Sequence, residues 1–253
     1  MTAAVIAVSN RKGGTAKTTT AVNLAAELGA RGRRVLVLDL DTQGHAGLGF
    51  GLRPGPGEPT VHDTFRGGAP ALARAVRATP YPNIDLAPAD RGFEVGPEPI
   101  APASLARALD PLRAHYDAVL IDTSPSADAL LVAALAAADH VLVPTLLHHL
   151  AVDGVGQFAR SYVRVAATLN PRLTGISLLP VQVDMRVTMQ RETRARLAER
   201  FGETRLLAGI RPDIALAEAF GSHRPVKYHK PRTRSVVDFE ALCDHVCFRV
   251  MQH

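Results

Sequence analysis

Near the start of the chain, lysines, glycines and threonines crowd into one stretch, Lys12-Gly13-Gly14-Thr15-Ala16-Lys17-Thr18-Thr19. An apolar run at 3–8 precedes it and a helix-like run at 21–29 follows it. Strand, glycine-bearing turn and helix in that order make a cradle for phosphate. Backbone N–H groups of such a turn and of the first helical turn point at an anion, and the helix dipole favours negative charge there. Gly13 and Gly14 let the backbone approach closely, Lys17 reaches the outer phosphates, and the Thr18 hydroxyl suits Mg²⁺. The strict pattern G-x-x-x-x-G-K-[ST] is not met, because Arg11 and Ala16 stand at its two glycine positions. If the loop requires a positive φ at residue 16, a Cβ there costs free energy and lowers ligand affinity.

Carboxylates close two other apolar runs. The run at 34–40 ends in Asp39-Leu40-Asp41, and the run at 117–121 ends in Asp122. Open α/β sheets place ligands at the carboxyl ends of their strands. Asp122 is therefore a candidate to hold Mg²⁺ through water, opposite Thr18. Asp39 reads as structural or as a support for the metal site. For Asp39 and Asp41 the plain alternative is capping of a helix N-terminus.

The elements that must position these groups alternate. Strands are expected at 3–8, 34–40, 83–88, 117–121, 140–144, 173–183 and 205–210. Helices are expected at 17–30, 60–66, 69–78, 102–114, 126–138, 151–169, 188–201, 213–220 and 234–250. Residues 44–59 read as an irregular loop and 90–102 carry no assignment. Strands buried on both faces and alternating with helices make an α/β fold, a mostly parallel twisted sheet with helices on both faces. No repeat or linker-like tract divides the chain, so 1–253 reads as a single domain.

The net charge of +5 suggests an anionic partner. The segment 181–235 holds twelve Lys or Arg against six Asp or Glu, so it carries the whole surplus. No apolar run approaches the ~20 residues of a membrane span, and the chain enters a strand without a signal-peptide pattern. A cytoplasmic protein is expected. Cys243 and Cys247 lack the partners of a zinc site and read as helix residues. The adjacent His148 and His149 have no evident metal partners and read as ordinary surface or core histidines. The arginine-rich helix at 188–201 has a plain reading as a solvated face paired with Glu192 and Glu199.

The stretch Lys12–Thr19 resembles the deviant Walker A motif, K-G-G-x-G-K-[ST]-T, of ParA/MinD-type ATPases, with Lys12 as the signature lysine. The run from Gln182 through Arg186 to Gly202 is similar to a ParA/Soj segment of strand, arginine-containing turn and helix. IRPDIALAEA at 210–219 and RPVKYHKPR at 224–232 look like the family's C-terminal region, which packs near the adenine and carries basic DNA contacts. The resemblance implies a deviant Walker A P-loop NTPase fold with ATP and Mg²⁺ as cofactors. It implies nucleotide binding by Lys12, Gly13, Gly14, Thr15, Ala16, Lys17, Thr18, Thr19 and Pro212, and metal binding by Thr18 and Asp122. Lys12, Lys17 and Asp41 would be catalytic, Asp41 positioning the attacking water at the family's usual spacing after Lys17. Arg186, Arg191, Arg194, Lys227 and Arg232 would contact DNA. The implied function is an ATP-dependent sandwich homodimer that binds double-stranded DNA nonspecifically at the nucleoid. It would partition a chromosome or plasmid, with hydrolysis stimulated by a ParB-like partner. The chain departs from the family at Ala215, where many relatives have Arg or Lys, and at Thr42 and Ser124, which replace prolines. Residues 52–105 match poorly, and no helix-turn-helix precedes the loop, as in the short Soj-like type. The alternative is a MinD-like positioning ATPase acting at a membrane or on another cargo. It calls for a basic amphipathic C-terminal helix, whereas the tail sets Asp238, Glu240 and Asp244 against Arg249. A metabolic relative such as an amidoligase or iron–sulfur carrier is a third reading. Its nitrogenase-iron-protein form needs cysteines near the central strands, and none are there.

Overall fold

The computed structural model describes residues 2–67, 70–97, 99–125 and 128–251. In chain order the elements are β1 (Ala4–Val8), α1 (Lys17–Ala30), β2 (Val35–Asp39), α2 (His45–Gly49), α3 (Thr64–Gly67), α4 (Pro70–Ala75), β3 (Arg77–Ala78) and β4 (Ile84–Ala87). There follow α5 (Ser104–Leu109), β5 (Ala118–Asp122), α6 (Asp128–Ala137), β6 (His140–Leu146), α7 (Ala151–Thr168), β7 (Gly175–Val181), α8 (Thr188–Phe201), α9 (Ile214–Gly221), α10 (Val226–His229) and α11 (Arg234–Arg249). The strands form a seven-stranded sheet in the order β3-β4-β2-β5-β1-β6-β7. Every pairing is parallel except that of β3 with β4.

Successive side chains of β1 point to opposite faces, and both faces are covered. Val5 and Ala7 join a core with Leu36, Leu38, Val119 and Ile121 beneath α5, α6 and α7. Ile6 joins another with Val35, Val37, Leu120 and Leu142 beneath α1, α9 and α11. The register sets the three strand ends level: Val8 lies beside Asp122, and Asp122 beside Asp39. β1, β2 and β5 thus deliver their carboxyl ends, and the loops after them, to one rim.

The α/β architecture expected from the sequence is the one observed. Four local assignments need correction. The helix expected at 102–114 is α5 followed by a 3-10 turn over Asp110–His115, where Pro111 cannot donate to the α-helical ladder. The helix expected at 69–78 stops at Ala75, and Arg77–Ala78 turns out to pair with β4, Arg77 reaching Glu58 and the Pro59 carbonyl. The strand expected at 205–210 makes only isolated bridges to β7, at Leu206 and Ile210. Between them Gly209 holds φ at +99°, and a Cβ there would sit 2.7 Å from the Pro180 carbonyl, so the segment bends away from regular pairing. The loop expected at 44–59 contains the short helix α2.

Two largely buried histidines make the fold acid-sensitive. The Nδ1 of His62 accepts from the Asp90 N–H at 3.0 Å, and the ring stacks on Phe93. His140 lies 3.0 Å from the Ser177 hydroxyl. Burial pulls both down to about 4. A histidine with a depressed folded-state pKa contributes stability that is whole above its ordinary value and is lost as pH falls toward the folded one. Relative to His140→Gln, the wild-type chain should lose about 2 kcal/mol between about pH 7.5 and about pH 4.5. Urea unfolding at both pH values measures this, and equal losses in the two proteins would show that His140 is not responsible.

Candidate functional site

The loop between β1 and α1 is held from below before it meets any ligand. Ser9 N–H donates to the Leu142 carbonyl at 3.0 Å, and the Asn10 amide donates to the Pro144 carbonyl at 2.7 Å. Asn10 Oδ1 in turn accepts from the Lys12 N–H at 3.1 Å. The Thr15 hydroxyl and Lys17 Nζ both donate to the Lys12 carbonyl, each at 3.2 Å. Gly14 and Ala16 are left-handed, with φ of +71° and +59°. The strain expected at Ala16 is therefore present. The Ala16 carbonyl is fixed by the N–H and the hydroxyl of Thr20, at 2.9 and 2.8 Å, which starts α1 in register despite the Cβ. The first turn of α1 contains no acidic residue, so its free N–H groups and dipole face the loop uncompensated.

Above the loop lies a cleft of about 530 Å³. Gly13 to Thr19 form one wall; Asp41, Thr42, Gln43 and His45 form another, and Phe220 closes an end. Lys17 is buried; burial lowers its pKa, and Asp122 and Asp41 oppose that shift. A second cleft of about 650 Å³, lined by Pro212, Asp213, Ile210 and Phe239, shares Ala16, Thr19 and Phe220 with the first. Gly13 to Thr19 and Pro212 thus line two adjoining clefts, whereas Lys12 lines neither.

Asp39 and Asp122 are fully buried side by side at the bottom. Burial, then the negative charge of Asp39, holds Asp122 well above the usual carboxylate range. Neither Asp122 oxygen has a hydrogen-bond partner; the Thr18 hydroxyl is near enough to lower the pKa somewhat but makes no bond of normal geometry. Burial pushes Asp39 up to about 7, although its Oδ2 accepts from the Gly47 N–H at 3.0 Å in the first turn of α2. Asp39 thus accepts a bond from the first turn of α2. Asp41 is half-exposed and lines the cleft, its Oδ1 accepting from the Gln43 N–H at 3.0 Å.

A family model described as an AAA domain matches residues 3–175. The chromosome partitioning protein ParA of Caulobacter vibrioides is 36% identical over 229 residues, 88% of this chain and 85% of its own length. The chromosome-partitioning ATPase Soj of Thermus thermophilus is 35% identical over 98% of this chain and 96% of its own. The chain belongs to the ParA/Soj family of partitioning ATPases. Among solved structures, the cobyrinic acid a,c-diamide synthase of Mycobacterium smegmatis with bound ADP and magnesium is similar, with a TM-score of 0.76 and 30% identity. That match covers 97% of this chain and 94% of the synthase.

The basic residues expected to contact DNA in this ParA-family chain are not gathered into one patch. Arg186 is exposed beside Asp184, which it grips through Nε and Nη2 at 2.9 and 2.7 Å. Arg191 folds back on the same turn, donating to the Met185 and Arg186 carbonyls at 2.8 and 3.0 Å. Arg194 pairs with Glu203 at 2.6 Å on α8, which packs on the α7 side of the sheet through Leu197. Lys227 lies on the opposite side, 2.9 Å from buried Glu27 of α1 and 3.3 Å from Glu240. Arg232 is exposed just before α11. Ala215, where the resemblance led a basic residue to be expected, is buried, and its exposed neighbour is Ile214.

The sequence reading passed over Asn10, which pins the loop, and Phe220, which closes the cleft and meets His45 edge-on; His148, read there as an ordinary histidine, lies 2.9 Å from Lys12 Nζ. Each acts across a long sequence separation, so no spacing rule could have found it.

Ala16→Gly should remove the left-handed strain. After the entropy glycine returns to the unfolded chain, the nucleotide-free protein should gain up to about 1 kcal/mol. Urea unfolding measures the gain, and a loss of stability would mean that the Cβ packs favourably enough to outweigh φ.

Proposed function

We propose that this chain is a Mg²⁺-dependent ATPase that works as a partitioning switch. It binds ATP in the adjoining clefts, closes as a face-to-face homodimer, holds double-stranded DNA without sequence preference and releases it on slow hydrolysis stimulated by a ParB-like partner. The observation that carries the reading is Asp122: two buried, unpartnered carboxylate oxygens beside the Thr18 hydroxyl, beneath a lysine-bearing phosphate loop. A buried carboxylate without partners is costly, and a cation at Thr18 relieves it. Among the described residues no cluster of His, Cys, Asp or Glu is arranged to hold a metal unaided, which suits Mg²⁺ shared with phosphate oxygens and water. The ADP and magnesium named with the M. smegmatis relative agree with this.

In the mechanism, Thr18 and Asp122 would hold Mg²⁺, whose charge offsets that of the outer phosphates. Gly13 to Thr19 orient the phosphate chain through backbone N–H groups, and Pro212 and its neighbours take the base. Lys17 places its ammonium where negative charge grows during transfer. Asp41, on the facing wall, orients a water without acting as a strong base, because the charge develops on the transferred group. Lys12 is exposed at the rim, its Nζ 2.9 Å from His148, and would leave that contact to reach the phosphates of a second copy. Only the membrane form of the MinD-like alternative is touched by the structure: α11 buries Val236, Phe239, Leu242, Cys243 and Val246 in the core, whereas a positioning ATPase acting on another cargo fits the same site. Among the described residues no helix is long and apolar enough to cross a membrane.

Lys17→Ala should abolish ATP binding by calorimetry. Asp41→Ala should keep binding but lose single-turnover hydrolysis by about a hundredfold or more. Wild-type turnover in Asp41→Ala would assign the water to another residue.

For DNA, log K should fall linearly with log salt concentration. Arg186→Ala should weaken all duplexes alike and reduce that slope by about one. Filter binding with duplexes of unrelated sequence measures both, and a sequence-selective loss would contradict the reading.

A further inference from the structure

Lys12 is not idle in the single chain. Its Nζ lies 2.9 Å from Nε2 of His148, in the turn between β6 and α7. That turn is braced: the His148 N–H donates to the Leu146 carbonyl at 3.0 Å, and the Ala151 N–H to the His148 carbonyl at 2.9 Å. The Leu150 N–H donates to Nδ1 of the same ring at 3.1 Å. Lys12 is also tethered to this strand by its backbone, through Asn10 to Pro144 of β6. One strand therefore fixes both ends of the lysine.

The ring's hydrogen bonding cannot be fully satisfied. A neutral imidazole has one nitrogen lone pair and one N–H. The Leu150 N–H and the Lys12 ammonium both require the lone pair, so only one can have it at a time. A protonated ring would offer it to neither. Burial, then the Lys12 charge and His149, keeps the His148 pKa below its ordinary value and so keeps the ring neutral. The ring therefore holds Lys12 only while Nε2 keeps the lone pair, at the expense of the Leu150 bond.

We propose that His148 is a positioning residue for Lys12: it keeps the lysine against its own chain in the monomer and yields it when a second copy closes on the cleft. This rests on the reading that Lys12 reaches the partner's phosphates. The contact sets a threshold against dimerisation, since each protomer must break it. One such hydrogen bond shifts an equilibrium roughly threefold, and two protomers make the effect about tenfold in the dimer dissociation constant.

The first test reads the hold directly. In the nucleotide-free monomer, His148→Ala should speed acylation of Lys12 by a water-soluble amine reagent roughly threefold, by peptide mass spectrometry. Acylation of Lys230, paired with Glu218 elsewhere, should not change. The second test is sedimentation with a slowly hydrolysed ATP analogue. His148→Ala should tighten the dimer about tenfold. His148→Glu, which grips the ammonium with a full charge, should weaken it. Unchanged Lys12 reactivity, or an unchanged dimer constant, in His148→Ala overturns the proposal. Lys12→Ala separates the two ideas. If it dimerises like the wild type, the partner-reaching reading fails and this proposal fails with it. If it stays monomeric while His148→Ala behaves like the wild type, only the role of His148 falls.

Discussion

Two carboxylates, Asp39 and Asp122, lie fully buried side by side at the ends of adjacent parallel strands, and the rest of the site answers to them. The register of β1, β5 and β2 forces the juxtaposition. Asp39 is partly relieved by the first turn of α2, and Asp122 by nothing within hydrogen-bond reach. Lys17, itself buried, lies close enough to Asp122 for their opposed charges to moderate one another. The apolar cores on both faces of the sheet surround the pair. The fold thus holds unmet demand for positive charge at the spot where a metal–nucleotide complex would supply it.

The parts of this design that were legible in the sequence are those written locally. β1, β2 and β5 are continuous apolar runs ending in polar residues, and that pattern survives because strands buried on both faces need no alternation. The loop was legible from glycine and lysine spacing, and the strain at Ala16 followed from one residue type at one position. What escaped depends on partners far away in sequence. Arg77–Ala78 has helix-compatible residues but is drawn into an edge pairing by β4. Residues 205–210 carry strand-like residues, yet Gly209 must bend them clear of Pro180. His148 looked unremarkable because its partner is 136 residues away.

Charge counting shows the same limit. The basic surplus of 181–235 reads as a nucleic-acid surface, but the structure assigns several of its charges to internal duties. Lys227 neutralises buried Glu27 on α1, and Arg194 fastens α8 to the turn after it. Arg211 clamps Asp238 of α11 through Nε and Nη2. The charges left facing solvent, Arg186 and Arg232 among them, are fewer than the sequence total.

The margins of the sheet bear on how copies can meet. At one end β3 is two residues long and closed off by the Arg77–Glu58 pair. At the other, β7 presents Pro180, which has no N–H to offer. The carbonyls of Leu178 and Pro180 are already taken by the Leu207 and Ile210 N–H groups, both at 2.9 Å. The irregular path of 205–210 thus acts as a guard rail along an otherwise adhesive edge. Strand-to-strand polymerisation into open filaments thus finds little free edge at either margin.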